Sequence, residues 1–492
     1  MSRRKIVVRG GSVVAAVLVV AACGAESSPP STTGATTTTV AAADDRVTLT
    51  ASTITWETYR YEQTRFGSIL SGSYDGQTRT QRTFDTWVLE NEYLTVTLLP
   101  DFGGRILSII YKPTGHEQLY QNPVGVPYQI GTNVFFYNWL MVYGGIFPTF
   151  PQPEHGKAWF APWEFEVVEE STDSITVAMS FVDDESYPLV PPQYDGEATG
   201  LELTYVVTLT SGRATVDVEV VIDNPTDEAV SFEYWTNATL APGSQPGDTR
   251  ATAGAEIIAP VDLIEIPSFW AGIAAEEEPA GPEDVYRFDR LRRFENWSDL
   301  GIAYAFPDMG GGTYWGVIDQ TTTEGFFRIA DNSVTPGLKI WTWGYPQTVD
   351  VDPDAGPNEA RPYIELWAGL TREFFEKTEI EPGEVIRFAE TYAPTVGLGD
   401  VTHAAPDLAA DVRVQGGMVV ADLFGFRPGS AVATLLTVDG TPIFEGAVTF
   451  DPAAPASISA ALPDPAVGVL RLELTDTAGT VVLDATVELG DP

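Results

Sequence analysis

The chain of 492 residues holds one cysteine, three histidines and only 27 Lys+Arg against 69 Asp+Glu. Each shortage excludes something. One cysteine leaves no intrachain disulfide and no thiolate metal cluster. Three histidines, without an HExxH or a paired ligand set, argue against a zinc enzyme. A formal net charge of −42 denies the chain the basic face that nucleic acid requires. It equally disfavours docking of the folded surface on anionic lipid. No heptads, no short-period repeat and no second long apolar run are present. What is abundant is apolar residues, at 44%, and aromatics, at 11% with 12 Trp and 19 Tyr. That is ample for a core, over a length that suggests two or three domains.

The lone cysteine sits where a lipid attachment site belongs. Arg3, Arg4, Lys5 and Arg9 precede an apolar stretch, Ser12 to Ala22, too short to span a membrane as a mature helix. It runs into "VAAC", small residues ahead of Cys23. The pattern resembles a bacterial lipoprotein signal, which implies residues 1–23 as signal peptide with Cys23 lipidated. The expected localisation is extracytoplasmic, on the bacterial cell membrane through that lipid alone. Residues 24–45 are rich in Ser, Thr, Pro and Ala, and read as a disordered tether.

From Val47 to about Val396 the pattern is β. In "GRATVDVEVVIDNP", Ala214, Val216, Val218, Val220 and Ile222 alternate with Thr215, Asp217 and Glu219, as in a half-buried strand. One stretch invites a helix: Val285, Phe288, Leu291 and Phe294 recur every third residue in "PEDVYRFDRLRRFENW". Near Val401–Asp407 the composition shifts, and no tryptophan follows Trp367. Residues 404–492 then read as a small immunoglobulin-like β-sandwich, and 46–398 as the main β domain.

Of the histidines, His116 reads as a turn residue and His403 as a linker residue. His155 lies in "GGIFPTFPQPEHGKAWF", an aromatic, Gly/Pro-rich loop of the kind that carries function on β scaffolds. Asp350, Asp352 and Asp354 superficially resemble a calcium loop, but Ala355 and Arg361 stand where Gly and Glu are needed. No metal and no cofactor is expected.

The sharper signal lies in two strands. "GLKIWTWG" places Lys339, Trp341 and Trp343 on one face, and "PYIELWAG" places Tyr363, Glu365 and Trp367 on one face. Should these faces coincide, three indoles, a phenol, an ammonium and a carboxylate line one groove. The C–H faces of a sugar stack on such rings, and its hydroxyls need fixed polar partners. A carboxylate among rings has a raised pKa, which suits a general base near neutral pH. A structural cation–π face is the competing explanation.

"LENEYLTVTLLPDFGGRILSIIYKPTGHEQLYQNP", with the two strands above in order after it, resembles galactose-mutarotase-like (aldose-epimerase-like) domains, in particular an uncharacterised bacterial branch. The resemblance covers about Val47 to Val396. It implies a mainly β fold, a β-supersandwich with a carbohydrate in its concave face. In aldose epimerases a glutamate takes the anomeric proton and a histidine protonates the ring oxygen. Glu365 matches that glutamate. In "EYWTNATLAPG", Trp235 stands where the histidine is expected, so His155 is the alternative donor. Arg105, in "GGRI", is a candidate to clamp a hydroxyl or to pair with a neighbouring carboxylate, and Asn237 shares a strand face with Trp235 by alternation; both, with Trp235, are substrate-binding candidates beside Lys339, Trp341, Trp343, Tyr363 and Trp367. The expectation is a lipid-anchored carbohydrate-binding protein with a mono- or oligosaccharide as partner. The alternatives are an epimerase-type enzyme with Glu365 as base and either His155 or a tyrosine as acid, or a structural surface lipoprotein.

Overall fold

A computed structural model describes residues 46–60, 62, 73, 75–121, 124–129, 138–141, 144–152, 156–159, 161–186, 196–282, 284–345, 363–462 and 469–488. Cys23, His155 and the 350–354 acidic run lie outside them. The protein is mainly β, built from several antiparallel sheets.

The larger part is two sheets packed face to face. The strand Val216–Asp223 shows why they pack: Val216, Val218, Val220 and Ile222 are buried and Asp217, Glu219, Val221 and Asp223 half-buried in strict alternation. It sits inside an eight-stranded sheet between Glu202–Thr210 and Val385–Val396. Opposite is a fourteen-stranded sheet, whose middle runs Gly301–Phe306, Gly337–Thr342, Ile364–Gly369, Trp235–Ser244, His116–Leu119 and Arg105–Tyr111. Ile340, Ile364, Leu366, Ala238 and Leu240 join Val218, Val220 and Tyr205 in one apolar cluster between the sheets. Alternation therefore sends their odd-numbered neighbours to the other face of the larger sheet.

A buried polar network crosses the core beneath that face. Arg328 and Glu390, both fully buried, pair at 2.7 Å. Arg328 also donates to Asn332 and Thr335, and Tyr392 donates to Glu390. Thr236 donates to Glu390 at 3.1 Å and joins the hydroxyls of Tyr234 and Tyr205. Every charge here is hydrogen-bonded, as burial of charge demands.

The expected helix is absent. Val285, Phe288, Leu291 and Phe294 are all buried, so the three-residue spacing does mark anchors. The backbone spends them on an edge strand, Val285–Arg287, then turns, then a short 3-10 helix, Phe294–Asn296. Strand pairing with Leu263–Glu265 supplies the hydrogen bonds that a helix would have made internally.

Residues 403–462 and 469–488 form two four-stranded antiparallel sheets around a separate apolar core that includes Leu423, Leu435, Leu472 and Leu474. Polar contacts join them to the main sheets: Thr313 donates to the carbonyl of Ala404, Tyr111 to that of Pro452, and Arg213 pairs with Asp407. His403 is a half-buried residue of a short strand, and His116 pairs with Glu324 at 2.5 Å.

Candidate functional site

The strand Ile364–Gly369 lies between Gly337–Thr342 and Trp235–Ser244, antiparallel to both. Register then dictates which side chains meet. One row across the sheet reads Gly145, Thr239, Glu365, Trp341 and Ile302. The next reads Phe147, Asn237, Trp367, Lys339 and Tyr304. A third holds Thr149, Trp235, Gly369 and Gly337. All of these positions lie on the face turned away from the core.

Glu365 is the centre of the group and only 4% exposed. The Trp367 indole N–H donates to its Oε2 at 2.9 Å. Burial pushes its carboxyl up to about 7, against the opposing pull of the Lys339 ammonium and of Trp367, Asn237 and Tyr363 beside it. Lys339 is equally buried, its Nζ 3.8 Å from the centroid of Trp367 and 4.0 Å from that of Phe374. Such a cation–π box holds an ammonium that has lost most of its water.

The rings close round this pair. Tyr363 stacks on Tyr120 with centroids 4.5 Å apart, and Trp343 donates its indole N–H to the Tyr363 hydroxyl. Trp341 and Trp343 meet edge to face and are half-buried.

Three residues of the Trp235–Ser244 strand carry buried polar atoms without a hydrogen-bond partner among the described residues: Trp235 at its indole Nε1, Asn237 and Thr239. Asn237 and Thr239 are fully buried, yet among the described residues Asn237 Oδ1 and Nδ2 and Thr239 Oγ1 have no hydrogen-bond partner. Asn237 sits close enough to Glu365 to hold its carboxyl down, but not in hydrogen-bonding geometry. Leaving such groups unpaired costs about 1–3 kcal/mol each.

Trp235 and Arg105 have structural surroundings. Trp235 lies over Gly369 and Gly337, where an added Cβ would sit 2.6 and 2.8 Å from its ring. Phe374 packs edge-on against it at 5.0 Å. Its indole faces Glu233, whose carboxyl burial raises to about 7. Arg105 is fully buried, donates to the carbonyls of Phe102, Gly144 and Trp159, and lies 4.3 Å from the Phe147 centroid. It fastens the turn before its own strand to the Phe147 and Trp159 segments.

The sequence-derived residues Trp235, Asn237, Lys339, Trp341, Trp343, Tyr363, Glu365 and Trp367 thus come together on one face, with Arg105 joining through Phe147. Thr239, Tyr120, Phe147 and Phe374 complete the group. Thr239 was within reach of period-2 alternation from Asn237. Tyr120 and Phe374 arrive from separate segments, and nothing local marks them.

A family model described as a domain of unknown function (DUF5107) matches residues 71–250. Among solved structures, a TPR-domain containing protein from Parabacteroides distasonis superposes with a TM-score of 0.56 at 18% identity. The match covers 73% of this chain and 57% of that one. A galactose mutarotase-like protein from Clostridium acetobutylicum superposes with a TM-score of 0.40 at 10% identity, covering 64% of this chain and 96% of that one. The chain therefore carries, over residues 71–250, a match to a family of unknown function within a mainly β protein.

Proposed function

We propose that this face binds a carbohydrate, and that the protein is an extracytoplasmic carbohydrate-binding lipoprotein held to the membrane through Cys23. The unpaired polar atoms of Asn237 and Thr239, beside Glu365 and among aromatic rings, carry the reading. A folded chain tolerates buried orphan donors and acceptors where something else satisfies them. A pyranose has the right pairing of surfaces: hydroxyls that donate and accept, and C–H faces that stack on Trp341 and Trp343. A purely apolar ligand would leave the amide and the hydroxyl unsatisfied.

A second reading is an epimerase-type enzyme. A Glu365 carboxyl at about 7 favours it, since a base so poised is half ionised at neutral pH. Removing one acid–base partner costs roughly 10²–10⁴-fold in rate.

One experiment separates these. The full-length chain in detergent is incubated with α-glucose, α-galactose and short oligosaccharides while optical rotation and binding heat are followed. Binding heat without accelerated rotation supports the binding protein. Rotation faster than buffer that disappears in Glu365→Gln supports the enzyme. Silence in both assays overturns the carbohydrate reading and leaves a structural lipoprotein.

A further inference from the structure

Part of the face around Glu365 is covered by a turn that belongs to neither large sheet. The strand Ile364–Gly369 ends where the Leu370 N–H bonds to the Tyr234 carbonyl, and pairing resumes only in the short strand Thr378–Ile380. From the turn between them Phe374 reaches back over the face. Its ring lies 4.0 Å from Lys339 Nζ, 5.0 Å from the Trp235 ring and 5.5 Å from the Trp367 ring. Lys339 and the two indoles are fully or almost fully buried, and Phe374 is one of the groups that keep them so.

The turn is braced internally. Glu376 accepts from the backbone N–H groups of Arg372 and Glu373, and Thr371 donates to the Glu373 carbonyl. Arg372 pairs with Glu265 on the neighbouring edge strand and with Glu373. Toward the strand Trp235–Ser244 the connection is a carboxylate: the Phe375 N–H donates to Glu233 Oε2 at 2.9 Å. Two features load that bond. Phe375 sits at φ 72°, in the left-handed region that a bulky side chain disfavours, while its ring is 52% exposed. Glu233 is only 2% exposed, and burial raises its carboxyl to about 7. The Phe375 N–H and Lys377 pull the other way, Glu376 adds to the rise, and the Trp235 indole lies beside it. From the Pro151 segment a backbone carbonyl accepts from Glu233 N.

We infer that the turn Thr371–Lys377 is a gate over Lys339 and the Trp235 and Trp367 rings, latched by Glu233 through the Phe375 N–H, closed in acid and released in alkali. A protonated carboxyl still accepts the N–H through its carbonyl oxygen. Release returns Glu233 to water and to the ordinary range near 4.5, so closing takes up a proton. That advantage of the closed form is fully present below 4.5 and is lost as pH rises through 7. The strain at Phe375 acts in the same direction, since the released turn can leave the left-handed region.

The test exposes the full-length chain in detergent to hydroxyl radicals at pH 5.5, 7 and 8.5 and reads oxidation of Trp235 and Trp367 by peptide mass spectrometry. Buried Trp297 and exposed Phe269 serve as internal standards. Relative to them, oxidation of both indoles should rise about tenfold from pH 5.5 to 8.5. Glu233→Gln keeps an acceptor for the Phe375 N–H without a charge, and should leave the rings protected at every pH. Phe375→Gly removes the left-handed penalty and should lower the oxidation at pH 8.5 about threefold. A flat wild-type profile, or a rise that survives in Glu233→Gln, would overturn the gate; so would a Phe375→Gly level above wild type. Protection of Trp297 reports folding, and where Glu233→Gln loses it, Phe375→Gly decides. No ligand enters the assay, so its outcome leaves the carbohydrate reading where it stood.

Discussion

Trp341 and Glu365 stand directly across from one another on adjacent antiparallel strands, so the indole and the carboxylate share one face by register alone. The side of Glu365 remote from Trp341 is met in the same way by Thr239. An acid is thereby fixed between a ring and an unsatisfied hydroxyl, with an ammonium one row away. The predictions below follow from that placement.

The first concerns pH. The Glu365 carboxyl rises from 4.5 in the unfolded chain to about 7 in the fold, so the folded state binds its proton more tightly. Its contribution is fully present below about 4.5 and is lost as pH rises through 7. The difference in unfolding free energy between wild type and Glu365→Gln should therefore shift by up to about 3 kcal/mol across that window, in favour of the variant at higher pH. Glu233 titrates in the same range, so the difference between the two proteins is the informative quantity. Denaturation curves at pH 4 to 8 measure it, and parallel curves would refute it.

A second prediction trades binding for stability. Thr239→Val keeps the shape of the side chain and deletes a buried hydroxyl with no partner. The unliganded variant should be more stable than wild type by about 1 kcal/mol, read as a higher Tm. The same variant should bind its saccharide at least fivefold more weakly in calorimetry. A destabilised variant with unchanged affinity would show the hydroxyl to be structural.

The third prediction is steric. A methyl at residue 369 would come within 2.6 Å of the Trp235 ring, on a strand that has no room to retreat. Gly369→Ala should cost about 1–3 kcal/mol, the usual penalty for overpacking. Gly369→Ala combined with Trp235→Phe should recover part of that loss in urea denaturation. Additive losses would mean that the two positions do not press on each other.

Much of this was legible in the residues because strands have a period of two. "GLKIWTWG" and "PYIELWAG" each announced one aromatic, charged face, and antiparallel pairing then needed only the right neighbour. Periodicity cannot supply that neighbour: that Trp235–Ser244 lies beside Ile364–Gly369 depends on contacts more than a hundred residues apart. The Val285–Phe294 spacing misled for a related reason. Buried anchors every third residue satisfy a helix template, but the segment's backbone hydrogen bonds go to a strand that pattern alone does not reveal. Thr239 was overlooked because a threonine on a strand usually signals nothing; its meaning comes from the absence of a partner.

The strand Trp235–Ser244 serves two masters. Asn237 and Thr239 share a face with Glu365, the face proposed to bind carbohydrate, while Thr236, between Trp235 and Asn237, reaches the Arg328–Glu390 pair. Recognition and structural integrity are threaded through consecutive residues of the same ribbon. A shift of one residue along its neighbour would drive the amide into the interior and expose the threonine that stabilises the charge. Selection acting on either side must therefore hold the other in place, and a lineage that abandoned the ligand would still be bound to preserve most of its cradle.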